Sequence, residues 1–322
     1  MQELDLCKTT SAYQKMHASW AAGRLFHANL IVGTDAVLSR ALALIMAAEV
    51  VSSGAENEQN STQKVFKHIH PDVLEFGLEK AVDVAAAKDI IDKVQISPYE
   101  GDNKVIIIHG FDMCGPAPMN KLLKTLEEPP KGTYFFLLVE NENRLLQTIT
   151  SRTQKYYVPL LSDQQIMEYV KQNYPSFDAE KMAGLAGGSI KNVQDLSGKD
   201  AASKIYDVVM DTFLNYNKTS QFGEFAKKME SVKPYLKEVL NIFASISSKA
   251  IRLRIGKASI TNNITNITDA GKVASSWPFA ALVLVVEATV KAQEMLDKKT
   301  TEQNVIDQFL FRILEVKIKC RR

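Results

Sequence analysis

The sequence predicts an α/β domain, an open and mostly parallel sheet over about residues 1–160, followed by a wholly helical remainder. Three observations lead there. Short apolar runs alternate with helical patterns through the first half of the chain. Val105-Ile106-Ile107-Ile108 and Phe135-Phe136-Leu137-Leu138 are apolar at every position, as in strands covered on both faces by crossover helices. Beyond Pro159 no strand pattern recurs.

Strands are expected over residues 29–32, 73–76, 105–108, 134–139 and 155–158, with helices over 35–51, 85–94 and 118–128. In the last helix Met119, Leu122, Leu123 and Leu126 fall at i, i+3, i+4 and i+7, and Lys121, Lys124, Glu127 and Glu128 take the other face. Pro129-Pro130 stop it, because proline lacks an amide donor and drives its predecessor out of helical geometry. Residues 52–63 read as a polar, low-complexity insertion. Residues 162–200 read as short helices broken at Tyr174-Pro175 and Gly187-Gly188. From 201 onward the pattern is helical, with one stripe at Leu236, Val239, Leu240, Phe243 and Ile246. Val305, Ile306, Phe309, Leu310, Ile313 and Leu314 form another, across a polar, partly loop-like connector over 256–276.

Composition narrows the function classes. A net charge of +2 is too small to point to nucleic acid through bulk electrostatics. Cys7, Cys114 and Cys320 are scattered, with neither disulfide nor metal-site spacing, which suits a reducing cytoplasm. The first residues lack a secretion signal, and the apolar runs 41–51 and 279–286 fall short of the ~20 residues that span a bilayer, so no membrane role is expected. His68, His70 and Asp72 lie close together, but no third metal ligand is in view. Lys317, Lys319, Arg321 and Arg322 read as a solvated helix end that favours the dipole. No nucleophile–base or paired-carboxylate arrangement stands out.

A phosphate loop would follow the first strand. Leu30-Ile31-Val32-Gly33 runs into Thr34-Asp35-Ala36-Val37-Leu38-Ser39-Arg40. Against G-x-x-x-x-G-K-[ST], Gly33 matches, while Leu38 replaces the second glycine, Ser39 the lysine and Arg40 the magnesium-binding hydroxyl. Asp35 adds a negative charge that would repel phosphates. The acidic pair expected after the third strand is His109-Gly110, and Asp112 stands three residues beyond His109, where it reads as a cap for the next helix. Neutral histidine is a poor ligand for Mg²⁺. Either these residues are a degenerate nucleotide loop or they are an ordinary strand–turn–helix; in both cases ATP hydrolysis here is not expected.

Gly23-Arg24-Leu25-Phe26-His27-Ala28, Asn120–Pro130 with its Leu-Glu-Glu-Pro-Pro end, and Leu145-Leu146-Gln147-Thr148-Ile149-Thr150-Ser151-Arg152 together resemble the bacterial DNA polymerase III clamp-loader subunits of the AAA+ superfamily. Those are gamma/tau, an ATPase, and delta-prime. The clearest match covers about residues 20–160. The resemblance implies an AAA+ domain over 1–160, a helical lid over 161–204 and a helical collar for oligomerisation over 205–322. The loop losses favour the delta-prime branch. In that family the serine-arginine element reaches ATP held by a neighbouring gamma/tau subunit, so Arg152 is the expected arginine finger, positioned by Ser151. Lys191 falls near the lid's sensor position. Residues 52–63 hold no cysteine, so the zinc module common in the family is not expected, and neither is tightly bound ATP. Thr153 stands where cysteine usually follows the arginine.

The resemblance implies gamma/tau and delta as partners and, indirectly, the sliding clamp and primer-template DNA. The apolar stripes beyond 201 are then expected to face other subunits in part. Two other classes stay open at this point: an active gamma/tau-like ATPase with an unusual loop, and a stand-alone DNA-binding module.

Overall fold

The computed structural model describes residues 2–197, 202–256 and 269–320. The chain packs as two units, Met1–Leu161 with Ser189–Lys191, and Ser162–Gly188 with Asn192–Arg322.

The first unit opens with two helices, α1 (Gln2–Lys8) and α2 (Ser11–Ala21), that the sequence reading did not anticipate. There follow β1 (Ala28–Val32), α3 (Ala36–Ser52), α4 (Glu58–Phe66), β2 (Val73–Phe76), α5 (Val84–Val94) and β3 (Lys104–Ile108). Next come α6 (Pro116–Glu127), β4 (Thr133–Val139), a single turn α7 (Gln147–Thr150) and β5 (Gln154–Tyr157). The five strands are all parallel, in the order β2-β3-β4-β1-β5. All five expected strands are present, each within a residue of its expected bounds.

The central strands are buried on both faces, as their unbroken apolar runs require. On one face Leu30, Ile106, Ile108, Phe135 and Leu137 pack with Ala87 and Ile90 of α5 and with Met119, Leu122 and Leu126 of α6. Each of the larger of these side chains contributes roughly 1.5–3 kcal/mol by leaving water. The polar insertion over residues 52–63 leads into helix α4: Asn57 caps it by accepting from Asn60 N at 2.9 Å, and Ser61 is buried.

The second unit is helical throughout its described residues: α8 (Asp163–Asn173), α9 (Ala179–Ala186), α10 (Ile190–Ser197), α11 (Ala202–Asn215) and α12 (Phe222–Glu230). Then come α13 (Leu236–Gly256), α14 (Asp269–Ser276), α15 (Phe279–Asp297) and α16 (Glu302–Lys319). The first residues of α10 pack with the first unit. Ser162 and Gln165 form a capping box at the start of α8, and α9 stops at Gly187 in left-handed geometry. Part of the polar connector is helix α14; residues 257–268 lie outside the described residues.

Two expectations change here. The stripes Leu236–Ile246 and Val305–Leu314 are buried within this chain's own bundle, with α13 against α15 and α15 against α16, instead of facing outward. The exposed large apolar residues of this unit are others, among them Ile255, Phe279, Val283, Val290 and Phe311. Lys317 is no solvated tail residue. It is 3% exposed, its Nζ donates to Phe213 O at 2.6 Å and Tyr216 O at 3.1 Å, and it stands over the Trp277 ring. It thereby satisfies carbonyls at the end of α11. Lys319 pairs with Glu315; Arg321 and Arg322 lie outside the described residues.

Candidate functional site

The turn from β1 into α3 lies at the carboxyl edge of the sheet, where open parallel sheets bind ligands. Gly33 donates to Val139 O at 3.0 Å, and a Cβ there would meet Ser39 Oγ at 2.7 Å and Val158 Cβ at 2.9 Å. Close approach, not a special φ, is what demands glycine. Leu38 and Ser39 are buried in the first turn of α3, and Ser39 Oγ has no hydrogen-bond partner among the described residues. Asp35, 1% exposed, caps α3: its Oδ1 accepts from Val37 N at 2.9 Å and Leu38 N at 3.2 Å. Its Oδ2 accepts from Ile190 N, the first amide of α10, at 2.5 Å.

Arg40 and His109, chosen from sequence as two separate losses, meet on one carboxylate. Glu75 of β2 accepts from Arg40 Nε at 3.0 Å and Nη2 at 3.2 Å, with His109 Nε2 at 2.9 Å and His68 Nδ1 at 2.8 Å. Burial on its own raises the Glu75 carboxyl. Hydrogen bonds from His109, Arg40 and His68 outweigh it and bring the pKa from 4.5 down to about 2. Gly77 lets the chain leave β2 beside this cluster: its φ is +83°, and a Cβ would collide with the His109 carbonyl. Glu75 was missed from sequence, although a lone acid inside Val-Leu-Glu-Phe was a visible signal.

Asp112 does not cap the following helix. Its buried carboxylate accepts from Asn141 N at 3.2 Å and Glu140 N at 3.4 Å, tying the end of β4 to the segment after β3, and Gly115 precedes α6 instead. Gly110, at φ +55°, makes the turn between His109 and Phe111. The side chains of His68, His70 and Asp72 share no common ligand position, although Asp72 N donates to His70 Nδ1 at 3.1 Å. His70 Nε2 meets Ser61 Oγ at 2.8 Å, and Asp72 accepts from Tyr99 N at 2.8 Å and Glu100 N at 2.7 Å. Among the described residues no group of three or more His, Cys, Asp or Glu is arranged to hold a metal ion. Lys191 is exposed in the first turn of α10.

The second cluster is built by α6 and α7. Arg152 N donates to Ile149 O at 3.0 Å, which closes the turn after α7. Its Nη1 donates to Thr148 O at 3.1 Å and to Ser151 Oγ at 3.3 Å, and its Nε pairs with Glu127 of α6 at 2.5 Å. Both side chains of the pair are more than 40% exposed, so the guanidinium faces solvent. Sequence reasoning chose Ser151 and Arg152 but left Glu127 on a generic polar face. A shallow groove of about 460 Å³ borders Glu127, lined by Arg24, Phe26, His27, Pro130 and Tyr134. It lies at the amino ends of β1 and β4, away from Gly33 and His109.

Residues 8–161 match the model of a family described as DNA polymerase III, delta subunit. The DNA polymerase III delta-prime subunit of Pseudomonas aeruginosa is 31% identical over 212 residues, covering 61% of this chain and 65% of that protein. A DNA polymerase III gamma subunit of Buchnera aphidicola is 27% identical over 186 residues, covering 54% of this chain and 52% of that protein. This chain thus spans between half and two thirds of the length of these relatives. A solved structure of a gamma-subunit-related protein from Thermotoga maritima superposes with a TM-score of 0.43 at 17% identity, covering 95% of this chain and 99% of that one. No single helix among the described residues is long and apolar enough to cross a membrane. The chain is similar to the delta-prime and gamma subunits of DNA polymerase III, with the family match carried by residues 8–161.

Proposed function

We propose that this chain is a non-hydrolysing, stator-like subunit of a DNA polymerase III clamp loader, which places Arg152 against ATP held by a neighbouring gamma/tau-type subunit. The observation that carries this reading is the contrast between two clusters. At the Gly33 turn the groups that would meet phosphate and magnesium are engaged with internal carboxylates. At the α6–α7 junction a guanidinium is held at the surface by Ser151 and Glu127. The first arrangement leaves no lysine for phosphates and no oxygen ligand set for Mg²⁺. The second is what an arginine finger needs: a charged, planar donor on a short rigid turn, able to meet developing negative charge on a transferred phosphoryl group.

On this reading Gly33, Leu38, Ser39 and Arg40 are a vestigial phosphate loop, and His109 and Gly110 stand where the metal-binding acids were. The subunit holds no nucleotide or zinc of its own. Its partners are gamma/tau and delta subunits, and through them the sliding clamp and primer-template DNA, in the cytoplasm.

Arg152→Ala is expected to leave the subunit folded and assembled while slowing hydrolysis at the adjoining ATP site by about 10³-fold or more. The measurement is DNA-stimulated ATP turnover by the reconstituted complex. Unchanged turnover would remove the finger. Sub-millimolar, Mg²⁺-dependent ATP binding by the isolated chain would instead make it a gamma/tau-like ATPase.

A further inference from the structure

The start of a long helix offers unbonded amides and the positive end of a dipole, which is why nucleotide loops place phosphate there. In this chain two of the α3 amides are already taken. The Asp35 carboxylate accepts from Val37 N and Leu38 N at the start of α3, and its other oxygen accepts from Ile190 N at the start of α10. Two helix starts, 155 residues apart in sequence, therefore converge on one buried carboxylate. Among the described residues, Ser39 Oγ, 2% exposed and next to Gly33, is left without a partner in the same turn. A second carboxylate, Glu75, lies between Arg40 and His109, the positions of the lost hydroxyl and the lost metal-binding acid.

We infer that Asp35 is an internal anion that stands in for a nucleotide phosphate, joining the loop to the Ile190 amide. The inference rests on the reading of residues 33–40 as a vestigial phosphate loop and is independent of Arg152. An incoming phosphate meets a fixed negative charge and finds the Val37, Leu38 and Ile190 amides already engaged. The site is closed by substitution, not by loss of its shape. Removing the carboxylate uncovers three amides and the Ser39 hydroxyl for an external anion.

The test is thermal unfolding of the full chain as parent, Asp35→Ala and Asp35→Asn. Each is titrated with pyrophosphate at an ionic strength held constant with sodium chloride. Asp35→Ala is expected to melt about 2–6 °C below the parent. Pyrophosphate is expected to recover at least half of that deficit while leaving the parent's midpoint where it was. Equal responses of parent and variant, or a deficit that pyrophosphate does not reduce, overturn the inference. Should Asp35→Ala not fold, Asp35→Asn, which keeps one acceptor oxygen and loses the charge, is judged by the same two outcomes. Mg²⁺-ATP bound tightly by the parent would sink the vestigial-loop reading itself, whereas failed recovery sinks only the internal anion.

Discussion

Glu75 concentrates more charge chemistry than any other side chain at the sheet's carboxyl edge. It is 11% exposed at the side chain and is held by Arg40, His68 and His109. Its folded pKa is depressed from 4.5 to about 2, so the stabilisation is complete above about pH 4.5 and drains away as pH falls toward 2. Glu75→Gln is expected to cost about 2–3 kcal/mol at neutral pH. The gap to the parent should narrow at about pH 3.5, where carboxylate pairing is being lost; urea unfolding at both pH values measures it. A constant gap would mean that packing, not charge, holds the cluster. Glu127 differs because its pair with Arg152 is open to solvent. Glu127→Gln should shift unfolding stability by less than about 1 kcal/mol, which the same urea titration at pH 7 checks.

At the scale of elements, Lys317 supplies the sharpest prediction. Lys317→Met keeps the apolar stem but leaves the Phe213 and Tyr216 carbonyls without their ammonium donor, inside a buried bundle. A loss of about 2–4 kcal/mol is expected, read from the unfolding transition that reports the Trp277 environment. The sequence did not disclose this role, since a lysine in the last turn of a helix usually ends in water; only the packing of α11 against α16's end reverses that. Strands β3 and β4 were legible because four consecutive apolar residues suit a strand covered on both faces. Helix α6 was legible from its stripe and its proline stop. Helices α1 and α2 were not, being short and weakly patterned; α1 buries Cys7 and α2 buries Ala12 and Met16. Of the candidate site, the individual losses at Leu38, Ser39, Arg40 and His109 could be read one by one. That Arg40 and His109 converge on Glu75, and that Asp35 reaches Ile190, depends on strand order, which periodicity does not encode.

At the scale of the whole molecule, the chain divides its labour between a sheet unit that carries both charge clusters and a helical unit that carries none of them. If the helical unit is the part that joins the complex, deleting residues after about 205 is expected to abolish co-purification with gamma/tau-type subunits. The sheet unit would keep its far-ultraviolet signature. Retained co-purification would place the assembly surface on the sheet instead. The Glu127–Arg152 pair bears on how such an assembly stays orderly. Because an exposed ion pair is worth about 0–1 kcal/mol, it is easily exchanged for a stronger anion presented at the right place. Until then the guanidinium has a companion of opposite sign in Glu127. On the proposed reading, the guanidinium trades this weak partner for a neighbour's triphosphate on docking, without any moving lid.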